Sequence, residues 1–65
     1  MTDNIKDTSA KILAYLQGKE KVSSWELKLR LHLAGSMLYI SLGSLLEQGK
    51  IEVEQHGLDY NIKLK

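Results

Sequence analysis

The 65-residue sequence predicts an α+β fold of three helices followed by a two-stranded β-hairpin. Three observations carry this expectation. Apolar residues recur at helical spacing in two stretches, 5–17 and 36–48. Between them Ser23 and Glu26 have the spacing of a capping box, in which each side chain bonds the other's free backbone N–H. The stretch from Ile51 to Lys65 alternates apolar and polar residues on either side of His56-Gly57, as a hairpin does.

The first helix runs from Ile5 to Gln17. Asn4 stands at its N-cap, and Asp7 lies in the first turn, where a carboxylate offsets the partial positive charge of unpaired N–H groups. Ile5, Ser9, Ile12 and Leu16, with Leu13 beside them, share one face. Gly18 ends the helix because glycine most readily takes the left-handed conformation. A short charged loop, 19–21, follows, and Val22 is placed to add a short third strand.

The second segment supports two readings. Leu27, Leu29, Leu31 and Leu33 alternate with Lys28, Arg30 and His32, the period of a half-buried strand. Against that, the stretch lacks β-branched residues, and Leu, Lys and Arg favour helices. A helix over 24–31 is therefore expected, with two apolar stripes. Leu27 and Leu31 form one, and Trp25 and Leu29 lie nearly opposite.

The third helix is expected at 36–48, capped by Ser36 and ended by Gly49. Leu38, Leu42 and Leu45 face inward, with Ser41 and Leu46 alongside. Folding the hairpin about His56–Gly57 pairs Val53 with Tyr60 and Ile51 with Ile62, and sets Glu54 opposite Asp59 near the tip. The expected core is Leu27, Leu31, Leu38, Leu42 and Leu45, joined by Ile12, Leu16, Val53 and Ile62.

Composition narrows the classes. A chain of this length makes one domain with a thin core, burying only about 60% of its unfolded surface. No Cys is present, so disulfide frameworks and Cys-based zinc sites are excluded, and a cytoplasmic protein is expected. No apolar run approaches the roughly 20 residues that span a bilayer, and the N-terminus has no basic-then-apolar leader. The net charge is +1, with no strong concentration of positive residues on any one segment.

The segment from Val22 to Lys65 resembles the winged helix-turn-helix superfamily of bacterial and archaeal regulators. The usual pattern there is E-L-A, a short helix, a turn, then V-Y-x-A-L-x-x-L-x-x-x-G-x-I leading into the wing. Here Glu26-Leu27 opens the first part, and Leu38-Tyr39-Ile40-Ser41-Leu42, Leu45, Gly49 and Ile51 match the second. The layout also resembles a family of very small bacterial winged-helix domains of unknown function. Two residues depart from the pattern. Lys28 stands where Ala or Gly usually follows the Glu-Leu pair, and His32 stands where Gly is common at the turn.

By this resemblance the third helix is a DNA-recognition helix, and the domain is a DNA-associated regulatory module. Its expected outward residues are Met37, Tyr39, Ile40, Gly43, Ser44 and Glu47, and none is a base-reading Arg, Lys, Asn or Gln. Ser36, Tyr39 and Ser44 remain as hydrogen-bonding candidates for DNA, with Lys19, Lys21, Lys28 and Arg30 as phosphate-contacting candidates. The hairpin holds Glu52, Glu54 and Asp59 against Lys63 and Lys65, a poor match to a phosphate backbone. The rival reading is a protein partner or a homodimer, through Trp25, Leu29, Ile40 and Gly43. Trp is enriched at interface centres, and a glycine inside a helix suits close approach by another backbone. A continuous Lys/Arg stripe beside the third helix would favour DNA; an exposed apolar patch would favour protein.

His32 and His56 have no partner at metal-ligand spacing, so no metal site is expected. No nucleophile has an evident base, and the chain is too short to enclose a drug-sized cleft. Catalysis, a cofactor and a small-molecule substrate are therefore not expected.

Overall fold

Three helices and a three-stranded antiparallel sheet make up residues 4–65, the part of the chain that the computed structural model describes. The order is α1 (Asn4–Leu16), β1 (Val22–Ser23), α2 (Ser24–Arg30), α3 (Gly35–Glu47), β2 (Ile51–His56) and β3 (Asp59–Leu64). The strands lie in the order β1-β3-β2, so the last strand in the chain is central in the sheet.

The helix α1 begins at Asn4, one residue earlier than expected, so Asn4 is not its cap; the residue before it lies outside the described residues. Ser9, Ile12 and Leu16 are buried and Leu13 is half-buried, on the face that the periodicity marks.

Residues 24–30 are helical, which removes the strand reading. The capping box is half made. Ser23 Oγ accepts from the Glu26 N–H at 3.0 Å, but the Glu26 carboxylate turns instead to Tyr15. The helix ends at Leu31 with His32 left-handed at φ 55°, the position where glycine is usual. The N–H groups of His32 and Leu33 bond back to the carbonyls of Leu29 and Lys28, and this Schellman geometry outweighs the histidine's strain. Leu33 is thereby carried onto the core.

The helix α3 starts at Gly35, with Ala34 at the cap and no side-chain bond there. Ser36, expected as the cap, is exposed within the first turn. Because Leu33 is anchored, the chain turns into the helix before Ser36 is reached.

Two features of the sheet differ from expectation. Val22–Ser23 pairs with Ile62 and Asn61, giving three strands where the hairpin alone was expected with Val22 as an addition. Register is the second difference. Val53 pairs with Ile62, Ile51 with Leu64, and His56 with Asp59 around a Gly57-Leu58 turn. Gly57, at φ 64°, supplies the positive φ that a two-residue turn with glycine first requires. Glu54 consequently faces Asn61 rather than Asp59. The shift is two residues, so every side chain keeps its face, and alternation alone cannot separate the registers.

The core is Ile12, Leu16, Val22, Leu27, Leu38, Leu42, Leu45, Ile51 and Ile62, enclosed by the helices and one face of the sheet. Leu31, expected at its centre, and Val53, expected to join it, are half-buried at its margin. Leu31 closes a short helix instead of lying within it, and Val53 sits two pairs nearer the hairpin tip than Ile51.

Candidate functional site

The DNA-contact candidates do not gather. Lys19, just past α1, lays its ammonium 4.2 Å from the Tyr15 ring centroid and donates to the Tyr15 carbonyl at 3.1 Å. Arg30 reaches the same Tyr15 from the end of α2, where Glu26 accepts the phenol's hydrogen bond at 2.5 Å. That acceptor, helped by partial burial, raises the Tyr15 pKa, while Arg30 pulls it back. Lys19 and Arg30 thus share their surroundings with an acid. Lys21 borders a shallow depression on the outer sheet face with Glu52, Glu54, Asn61 and Lys63, where Lys63 also pairs with Glu52 at 3.5 Å. Lys28 lies elsewhere again, beside Gly35 at the start of α3. These four cations have three different sets of immediate neighbours, the first two containing carboxylates.

The polar candidates on α3 also separate. Tyr39 packs edge-on to Tyr60 with ring centroids 6.1 Å apart, on the hairpin side of the helix. Ser44 is half-buried in the cleft against α1 and accepts from Gln48 Nε2 at 3.0 Å. At 100° per residue these positions are far apart around the helix, so Ser44 cannot join Tyr39 in a shared outward face. Met37 is likewise half-buried.

Between exposed Ser36 and Glu47, what α3 presents is apolar. Tyr39, Ile40 and Leu46 are 50%, 52% and 49% exposed, and Gly43 lies exposed among them. Leu46 was expected on the inward side. Its angular position instead matches the flank shared by Leu42 and Tyr39, a placement that the helical period alone could have shown. Between this flank and the hairpin runs a groove of about 460 Å³, lined by Tyr39, Leu42, Gly43 and Leu46 of α3 and by Val53, Leu58 and Tyr60. Leu58, in the hairpin turn, is fully exposed at the groove's edge, a residue that sequence reasoning overlooked. Its signal was an apolar side chain directly after the turn glycine.

A second apolar patch lies on α2. Trp25 is 62% and Leu29 50% exposed beside Ser23, Glu26 and Arg30. Neither is folded under the hairpin or α1. Among the described residues no cluster of three metal-ligating side chains occurs, and no helix is long and apolar enough to cross a membrane.

No family model, curated protein or solved structure matches the chain.

Proposed function

We propose that the chain is a winged helix-turn-helix scaffold used as a protein-interaction module, binding rather than catalysing. The element order and the β1-β3-β2 sheet support the scaffold, with α2 and α3 as the helix-turn-helix and β2–β3 as the wing. One observation carries the interaction role. The exposed face of α3, which in a DNA reader would enter the major groove, has no Lys or Arg and continues as apolar surface into the hairpin groove.

A DNA-associated regulatory role is the second reading, favoured by the same topology, which sets α3 immediately before the hairpin. Fluorescence anisotropy with random duplex at two salt concentrations separates the two. Each neutralised phosphate adds about −0.9 to the slope of log K against log salt. The interaction role predicts weak binding and a shallow slope. Submicromolar affinity near physiological salt, with a slope steeper than about −4, would overturn it.

A further inference from the structure

Gly43 sits at the middle of the outward face of α3. Three and four residues to either side of it stand Tyr39, Ile40, Leu46 and Glu47, all exposed. Its backbone is ordinary helix, so no left-handed conformation calls for glycine. A Cβ built there meets nothing within 4 Å, so packing inside the chain does not call for it either. Glycine weakens the helix at this position. What it provides is room for a second backbone to approach closely.

Resting on the protein-interaction reading above, we infer that this face binds a second copy of the chain, α3 against α3, across a two-fold axis at Gly43. The face is self-complementary in that arrangement. An antiparallel copy sets Ile40 against Leu46 of the partner subunit, and Tyr39 against Glu47 of the partner subunit. Glu47 is the only charged residue on α3, so the symmetry brings it to a phenol and never to its own copy. A charged partner would find almost no countercharge on this helix.

Exposed apolar side chains supply more than half of the area such an interface needs. A stable interface takes about 800 Å² per partner, roughly a sixth of the 4571 Å² surface. At their stated exposures Tyr39, Ile40, Leu46 and Leu58 supply on the order of 450 Å² of it, taking about 150–250 Å² for a large side chain. Exposed Ser36 and Glu47 lie at the rim of this apolar area. Leu58 overhangs the groove from the hairpin, so each copy's turn would clasp the other's helix.

Sedimentation equilibrium on the full chain between about 10 μM and about 1 mM tests this. The wild type should approach twice the single-chain mass as concentration rises. Gly43→Glu and, separately, Ile40→Glu should stay at single-chain mass throughout, with unchanged far-ultraviolet circular dichroism, while Trp25→Ala should still dimerise. A monomeric wild type at the highest concentration would overturn the inference, as would dimers that survive Gly43→Glu and Ile40→Glu but are lost in Trp25→Ala. A monomer that also binds duplex DNA weakly with a shallow salt slope would remove the second copy alone. Tight, steeply salt-dependent duplex binding would remove the protein-interaction reading with it.

Discussion

The Tyr15 hydroxyl donates to a Glu26 carboxylate oxygen at 2.5 Å, tying the last turn of α1 to the first turn of α2. The sequence marked Glu26 as a capping residue because of its distance from Ser23. In the fold its carboxylate serves a residue eleven positions away, and Ser23 caps the helix from its own side alone.

That bond makes stability sensitive to alkaline pH. The Glu26 hydrogen bond, with desolvation in support, holds the Tyr15 pKa above its ordinary 10.0. A raised folded value means that the neutral phenol is the form stabilised by folding. Its contribution is complete below about pH 10 and is lost as pH rises through the folded value. Urea midpoints followed from about pH 8 to about pH 12 should fall less steeply in Tyr15→Phe than in the wild type. Phenolate absorbance should show a late-titrating component that disappears in the variant.

His32 is the one described non-glycine residue with a positive φ. Glycine takes φ 55° without the Cβ penalty, although it also has more freedom to lose on folding. His32→Gly should therefore stabilise the domain by about 1 kcal/mol in urea unfolding. Gly49→Ala, at φ 73° after α3, should destabilise it by a similar amount.

The α3 core face offers a pair of opposite signs. Ser41 is fully buried, and its hydroxyl has no hydrogen-bond partner. Ser41→Ala removes an unsatisfied polar group and improves helix propensity, so stability should rise by about 1 kcal/mol. Leu45→Ala removes a buried side chain from the same face and should cost about 2–5 kcal/mol. Melting of both variants beside the wild type checks the pair, and a destabilised Ser41→Ala would show that its hydroxyl is bonded.

Leu58 contacts solvent on all sides in the single chain, so it supports no fold of its own. Leu58→Asn should change the unfolding free energy by less than about 0.5 kcal/mol at dilute concentration. Gly57→Ala, one residue earlier, should cost about 1 kcal/mol because its φ of 64° strains a side chain. Dilute chemical denaturation of the two variants separates turn geometry from exposed surface.

Local physics carried the sequence reading where a single period or cap decided the outcome. The 3.6 spacing of Ile12, Leu16, Leu38, Leu42 and Leu45 placed the buried faces of α1 and α3, and Ser23 placed the start of α2. Register was illegible for a definite reason. Moving the pairing of Val53 from Tyr60 to Ile62 leaves every residue on its original face, and only the Gly57-Leu58 turn distinguishes the two. The scatter of Lys19, Lys21, Lys28 and Arg30 was hidden as well, since side chains close in sequence diverge when α1, β1 and α2 part. The apolar groove needed the hairpin in place before Leu46, Leu58 and Tyr60 could be seen as one surface.

The central position of β3 also sets the order in which this domain can form during synthesis. Its residues, 59–64, are the last described element to leave the ribosome, yet both β1 and β2 pair with them and not with each other. Ile62, fully buried, faces Val22 across forty residues of chain and Val53 across nine. Until β3 emerges, α1, α2 and α3 can coil locally but lack the strand that closes their core. Completion of the sheet therefore waits on the closure between Val22 and Ile62, forty residues apart. A chain released before residue 59 would leave Leu27, Leu38 and Ile51 without the Ile62 that completes their core.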